Sequence, residues 1–283
     1  MSKVGIRALV ASRLRNHYRN TLRRLQRTLF YDKSDQGGGF FDAYPRFYET
    51  SIIGPRNRLN KRYRALIESN GEIIRGKSVL DIASHDGRWS FAAHKAGARY
   101  VLGIEAREHL IKHSQDNMRA YQVPEDQVEF VLGDAFEKLD QLEPGRFETV
   151  LCLGFFYHTM HHMLLLNKIA RLRPTHIVLD TCVDVDPDSI VVLQSERVAH
   201  ESAGAVPDEG DPELLLVGSP TRSALELMLS SVGYPSINYY DWHRAGIRRW
   251  DHLIEYHKGL RVSLVATRKS AADRRNTDST GSH

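Results

Sequence analysis

The sequence predicts an α/β fold, a parallel sheet with helices on both faces. Three observations carry this. Short apolar runs of strand length alternate with stretches of helical spacing from Ser78 to Thr181. Gly97 and Pro124 punctuate two of the connections. The stretch Ser78-Val-Leu-Asp-Ile-Ala-Ser-His-Asp-Gly87 reads as a buried strand, a tight turn and a helix start. In open α/β sheets the ligand sits beyond the carboxyl end of such a strand.

Taken in order, residues 4–31 have helical spacing, with Ile6, Val10, Leu14, Leu22, Leu25 and Leu29 on one side. Lys3, Arg7, Arg13, Arg15, Arg19, Arg23, Arg24 and Arg27 fill the remainder without any acid. Setting aside these eight charges turns the formal +4 into −4, so only the arm is basic. Such a helix suits packing on the body or on a second subunit, giving a homo-oligomer. Contact with anionic lipid or RNA phosphate is the alternative.

Gly37-Gly38-Gly39 forms a joint before an aromatic stretch, Phe40 to Tyr48. A hinge followed by aromatics suits a mobile lid over a ligand; a loop packed on the core is the other reading. A basic helix over 57–68 carries Arg58, Lys61, Arg62 and Tyr63, and one of these cations could meet a ligand carboxylate. Strands are expected over 78–83, 100–105, 128–132, 149–153 and 176–181, with helices over 89–96, 110–121, 136–142 and 163–172 between them. Residues 187–218, with Pro187, Pro207 and Pro212, Gly204 and Gly210, interrupt the alternation as a long insertion. A capped helix over 219–232 and strands over 237–240 and 261–267 follow. The polar segment 271–283 reads as a disordered tail.

Cys152 and Cys182 lie in apolar runs and read as reduced core residues, as in a cytoplasmic chain. No run is long enough to span a bilayer and no signal segment opens the chain.

The first turn lacks Gly-x-Gly-x-x-Gly. Ala83 and His85 stand where glycines are expected and only Gly87 remains, which disfavours a dinucleotide pyrophosphate. The second strand ends in Glu105, placed to accept hydrogen bonds from ribose hydroxyls. The third ends in Gly133-Asp134-Ala135-Phe136. Asp134 suits an adenine amino group, and Phe136 or Ala135 suits its face.

Val-Leu-Asp-Ile-Ala-Ser-His-Asp-Gly, Gly-Ile-Glu-Ala, Gly-Asp-Ala-Phe and Phe-Glu-Thr-Val-Leu-Cys-Leu-Gly resemble the successive motifs of class I S-adenosylmethionine-dependent methyltransferases. The resemblance covers roughly residues 74–269. It implies a Rossmann-like seven-stranded sheet, mostly parallel with the last strand antiparallel, and an S-adenosyl-L-methionine site. The first turn around Ala83 and Gly87, after Asp81, would lie under the amino acid moiety, Glu105 with Ala106 at the ribose, and Asp134, Ala135 and Phe136 at the adenine; His85 would touch the cofactor or be a spectator. The expected organisation is a basic N-terminal helix and lid region (1–72), the methyltransferase domain (73–270) with its 187–218 insertion, and the tail. Residues 147–158, ending in Tyr157-His158, resemble the tRNA wobble-uridine carboxymethyltransferase-like branch. The N-terminal half is more loosely similar to actinobacterial, especially mycobacterial, sugar O-methyltransferases.

Methyl transfer to a hydroxyl needs alignment with the methyl group and a base for the departing proton. His158, at the fourth strand end, suits the base, since histidine titrates near neutrality; Tyr157 would orient the acceptor or flank the cofactor. His158, His161 and His162 have metal-like spacing but no acid or cysteine beside them completes a ligand set. Asp180, Asp184 and Asp186 follow the fifth strand, and Asp180 with Asp184 would suit Mg²⁺ holding sugar hydroxyls; an exposed acidic turn is the bland alternative. Gly154-Phe155-Phe156-Tyr157 replaces the Asn/Asp-Pro-Pro-aromatic motif of amino-group methyltransferases, favouring oxygen or carbon-linked acceptors over exocyclic amines. The expectation is an O-methyltransferase for a small hydroxylated metabolite, a sugar first among them. A tRNA-modifying enzyme, or a non-catalytic S-adenosylmethionine-binding protein prompted by the missing glycines, are the competing functions.

Overall fold

The computed structural model describes residues 38–51, 56–197, 214–246 and 253–269. The expected basic arm over 4–31 and the tail over 271–283 lie outside them, as does 198–213 of the insertion.

Nine strands form two sheets among the described residues. The larger contains β1 (Ser78–Ile82), β2 (Tyr100–Glu105), β3 (Val128–Leu132), β4 (Thr149–Leu153), β5 (His176–Cys182), β8 (Ser236–Tyr239) and β9 (Arg261–Thr267), in the order β3-β2-β1-β4-β5-β9-β8. β9 runs antiparallel to both neighbours and the other pairs are parallel. The sheet thus has the expected seven strands and one reversed strand, lying inside the sheet with β8 at the edge.

The strands are near-continuous apolar runs because both faces are covered. In β1, Leu80 and Ile82 join one core cluster with Leu102, Ile104, Val150 and Leu179. Val79 joins the opposite cluster with Val101, Leu151 and Val178. That is the period-2 alternation of a strand sandwiched between two helical layers. The intervening helices are α4 (Arg88–Lys95), α5 (Glu108–Ala120), α6 (Ala135–Asp140), α7 (His162–Arg171) and α8 (Arg222–Ser231), preceded by α1 (Arg46–Thr50), α2 (Arg56–Leu66) and α3 (Gly71–Ile74) and followed by α9 (Ile254–His257). In α5, Leu110, Ile111, Ser114, Asn117 and Met118 are buried, one stripe at helical spacing. α6 and α8 start at side-chain caps, Asp134 and Thr221.

The aromatic stretch after Gly39 packs into the core. Phe41 and Phe47 have no exposed surface. Phe40 stacks on Tyr63 at 4.0 Å between ring centres, and Tyr44 meets Phe91 edge-on at 4.6 Å. A Cβ at Gly39 would lie 2.1 Å from the Asn60 side chain, whose Oδ1 accepts the Phe41 N–H at 2.8 Å. Burying each such ring stabilises the fold by about 1.5–3 kcal/mol. The packed-loop reading describes the aromatic rings of this stretch.

The flanks of the insertion form a second, two-stranded antiparallel sheet, β6 (Val191–Arg197) with β7 (Leu214–Pro220). This ribbon docks on the turn after β4. Gly218 N–H donates to the Thr159 carbonyl at 3.1 Å, and His162 Nε2 lies 3.2 Å from the Gly218 carbonyl. A Cβ at Gly218 would stand 2.6 Å from His162 Cε1, so only glycine admits this approach.

Candidate functional site

The parallel register brings Asp81 and Glu105 to the carboxyl ends of the adjacent β1 and β2, and Asp180 to that of β5, with β4 between β1 and β5. Asp81 pairs in register with Gly103 and Leu151, Glu105 with Leu132, and Leu153 with Asp180. β1 stops at Ile82, one residue earlier than expected, because Ala83 turns left-handed at φ 55. His85 also has φ 55 and Gly87 φ 77. The backbone therefore takes the glycine conformation at both substituted positions and bears the strain of a Cβ there. At Gly87 a Cβ would meet Phe130 at 2.7 Å and Ser114 at 2.9 Å, so this glycine is also needed sterically.

Beneath the turn, Asp81 is buried and accepts the Ser90 hydroxyl at 2.7 Å. Burial pushes its pKa up to about 7 against that hydrogen bond. Its Oδ1 and the nearby Ser84 Oγ are buried without a partner. Asp86, also buried, is paired with Arg88 Nε at 2.6 Å and accepts Thr50 Oγ1 at 2.7 Å. Burial alone would raise the Asp86 pKa, but Arg88, with the Thr50 hydroxyl, holds it well below the usual carboxylate range. Asn117 joins Thr50 Oγ1 to the Asp86 carbonyl, each at 3.1 Å, so α1 is tied to the turn.

His85 Nδ1 faces the Arg88 guanidinium at 2.5 Å. A guanidinium only donates, so Nδ1 carries the lone pair and Nε2 the proton. Asp86 Oδ1, 3.6 Å from the same Nδ1, lies beyond hydrogen-bond reach. Burial, then the Arg88 charge, lower the His85 pKa and keep the ring neutral.

Glu105 is 3% exposed. Its Oε2 accepts the His85 N–H at 2.9 Å, and Arg107 donates to Oε1 from Nε at 2.7 Å. At the end of β3, Asp134 Oδ1 caps α6 through the Phe136 and Glu137 N–H groups at 2.8 and 3.2 Å. Phe136 packs 6.3 Å from Phe155 and 6.2 Å from His161, centre to centre, joining the loops that leave β3 and β4. Ala135 is buried behind it, and Ala106 lies between Glu105 and Arg107.

After β4, Gly154 (φ 99) donates its N–H to the Asp180 carbonyl at 2.8 Å and a short 3-10 turn, Phe156–His158, follows. Tyr157 and His158 lie with ring centres 4.1 Å apart. His158 Nδ1 is 3.0 Å from Glu196 Oε2, a carboxylate on β6. Tyr157 Oη accepts from Arg261 at 3.3 Å, and burial raises the phenol pKa.

The expected magnesium ligands are corrected here. The Asp180 carboxylate is fully buried and accepts from Arg62 at 2.9 Å, Arg261 Nε at 2.7 Å, Tyr256 Oη at 2.7 Å and Ser263 Oγ at 2.7 Å. Burial would raise its pKa, but Arg261, Arg62 and Ser263 outweigh that and hold it well below the usual range. These donors take up its acceptor sites and leave none for a cation. Asp184 is turned to the local chain, accepting the Asp186 N–H at 3.0 Å. Among the described residues no three His, Cys, Asp or Glu side chains gather as a metal site.

Arg107, Arg88, Arg261 and Glu196 were not singled out from sequence. Arg62 was, among the cations of its helix. Arg88 and Arg107 each follow an acid by two residues, a visible local signal. Arg261 and Glu196 reach their partners only through the fold.

The methyltransferase-domain family matches residues 79–174. A tRNA U34 carboxymethyltransferase of Pseudoalteromonas translucida (strain TAC 125) is 26% identical over 178 residues, covering 60% of this chain and 48% of the relative. A putative ribosomal RNA large subunit methyltransferase of Methanocaldococcus jannaschii is 33% identical over 81 residues, 28% of this chain and 21% of the relative. The chain thus spans about half the length, or less, of these curated relatives. Among solved structures, the N-terminal domain of EvdMO1, determined with SAH and D-fucose, has a TM-score of 0.54 at 17% identity, covering 81% of this chain and 96% of that one. Magnesium protoporphyrin IX methyltransferase (ChlM) from Synechocystis PCC 6803 with bound SAM has a TM-score of 0.51 at 16% identity, covering 80% and 91%. At such identities these two likenesses concern the fold.

Proposed function

We propose that the chain, whose residues 79–174 match the methyltransferase-domain family, is a class I S-adenosylmethionine-dependent methyltransferase that methylates a hydroxyl of a small acceptor, a sugar or sugar-containing metabolite. The observation that carries this reading is His158, held beside Tyr157 in the turn that leaves β4, the strand paired with β1.

The residues of the crevice fit the methyl donor. The unpartnered Asp81 Oδ1 and Ser84 Oγ are suited to the donor's amino group. The Nε2–H of His85 can donate to an oxygen of the ligand. Glu105 suits the ribose hydroxyls, with Arg107 yielding part of its hold, and Asp134 keeps an oxygen beyond its capping bonds for the adenine edge. Phe136 suits the adenine face. When bound, S-adenosylmethionine supplies an electrophilic methyl group on a sulfonium.

The chain's own residues then orient and deprotonate the acceptor. Tyr157, fixed by Arg261, borders the acceptor's position. His158 Nε2 would take the proton of the acceptor hydroxyl, and S-adenosylmethionine would supply the methyl group, its sulfur keeping the electron pair of the carbon–sulfur bond. Support for a sugar acceptor comes from the fold likeness to EvdMO1, whose structure includes D-fucose.

A second reading, methyl or carboxymethyl transfer to a tRNA wobble uridine, draws support from a different feature. Two buried guanidiniums, Arg62 and Arg261, converge on the single Asp180 carboxylate. A Cβ at Gly154 would lie 3.3 Å from the Arg261 guanidinium and 4.0 Å from that of Arg62. That surplus of positive charge beside the β4 edge suits an anionic group such as a transferred carboxymethyl. The tRNA U34 carboxymethyltransferase relatives point the same way.

The test is turnover of labelled S-adenosylmethionine with panels of free sugars, glycosides and unmodified tRNA, the products weighed by mass spectrometry. Methylation of a carbohydrate, lost by ~10²–10⁴-fold in His158→Ala with S-adenosylhomocysteine binding retained, is the expected result. A product on tRNA alone, or a His158→Ala enzyme of near-normal rate, overturns it.

A further inference from the structure

We propose that Glu196 is the positioning residue for His158, fixing the ring with its proton on Nδ1 and its lone pair on Nε2. The proposal rests on the reading of His158 as the base and adds what makes it one. The two side chains are 38 positions apart in sequence and 3.0 Å apart in space. Both are largely enclosed, with 13% of the His158 and 21% of the Glu196 side chain exposed.

The ribbon is built to bring them together. Glu196 stands on β6, opposite Leu215 of β7. β7 is clamped to the loop that carries His158, by Gly218 N–H on the Thr159 carbonyl and by His162 against Gly218. The contact that docks the ribbon is therefore one residue from the histidine that it orients.

An ionised carboxylate only accepts, so an imidazole nitrogen at 3.0 Å from it must donate. With the proton on Nδ1, the Nε2 lone pair is free to take the acceptor's proton. The resulting imidazolium then lies against a negative charge, which stabilises the proton-transfer product. Tyr157 packs on the same ring at 4.1 Å, and Arg261 meets Tyr157 at its hydroxyl and over its ring. Of these neighbours, Glu196 is the anionic one. A water-exposed imidazole without such a partner favours the opposite tautomer, so the choice is imposed by the ribbon.

The experiment reads the tautomer directly. Nitrogen-15 spectra of the histidines are recorded on the full chain with S-adenosylhomocysteine, at a pH where the His158 ring is neutral. A His158→Gln variant assigns the signal. The wild-type protein is expected to carry the Nδ1–H form. Glu196→Gln should retain it, because the amide oxygen still accepts, and Glu196→Ala should shift the ring toward Nε2–H. In turnover, Glu196→Ala should lose roughly 10-fold or more in kcat, less than the loss of the base itself, with KM for the methyl donor unchanged, and Glu196→Gln should lose less than Glu196→Ala, since it keeps the tautomer but not the charge. An Nε2–H ring in the wild type, or an unchanged tautomer in Glu196→Ala, overturns the positioning role. If instead His158→Ala stays active while Glu196→Ala still moves the tautomer, the contact stands and the assignment of the base falls.

Discussion

The carboxylate of Glu105 accepts the backbone N–H of His85 at 2.9 Å, so the end of β2 holds the turn after β1 in place. The side chain proposed for the ribose thus also sets the shape of the turn. Glu105→Ala is expected to weaken S-adenosylhomocysteine binding by about 1–3 kcal/mol, roughly 5- to 150-fold, the range for a charge-assisted hydrogen bond and its unsatisfied partner. Isothermal titration calorimetry measures it. Unchanged affinity would remove Glu105 from the site.

Asp81 should make cofactor binding depend on pH. Burial raises its pKa to about 7 from 3.8, so near pH 6 the free protein holds it mainly protonated. An ammonium group placed on Oδ1 favours the carboxylate, so binding releases a proton and tightens as pH rises toward 7. The stability of the free protein has the opposite slope. Between 3.8 and about 7 the folded state binds the extra proton, so stability falls as pH climbs through that window. Calorimetry in buffers of different ionisation enthalpy should detect the released proton in the wild type and none in Asp81→Asn. Equal proton release by the two proteins would count against the contact.

Much of this was legible in the sequence for a simple reason. Buried parallel strands are runs of Val, Ile and Leu closed by an acid or glycine, and β1 to β5 read that way within a residue or two. Asp81, Glu105 and Asp134 follow from strand ends alone. What could not be read depends on distance along the chain. Asp180 looks like an open strand-end acid until Arg62 and Arg261, 118 and 81 positions away, are folded onto it. Glu196 lies in a stretch whose prolines and glycines mask a ribbon, and its partner is fixed by how that ribbon docks. The non-catalytic alternative rested on the missing glycines, yet Ala83 and His85 adopt the left-handed turn without them.

Asp180→Asn should be severely destabilising. It halves the acceptor capacity facing two guanidiniums and leaves their charge uncompensated among Tyr256, Tyr157 and Ser263. Breaking such a buried pair costs about 3–5 kcal/mol. Chemical denaturation measures the loss, and a change under ~1 kcal/mol would refute the network's structural role. EDTA treatment of the wild type should leave S-adenosylhomocysteine affinity and Tm unchanged, since the Asp180 carboxylate is already committed to protein donors.

Ala83→Gly offers a test of the strained turn. A left-handed alanine costs roughly 1–2 kcal/mol relative to a right-handed one, and glycine does not bear that cost. Glycine also loses more backbone freedom on folding, by about 0.5–1 kcal/mol. The difference leaves the variant more stable by up to ~1.5 kcal/mol, read from its urea midpoint. His85→Gly relieves the same φ of 55 but deletes the ring facing Arg88. Its cofactor affinity should fall where that of Ala83→Gly does not, because the His85 Nε2–H is the group lost from the crevice. Equal affinity in the two variants would make His85 a spectator whose only constraint is its backbone.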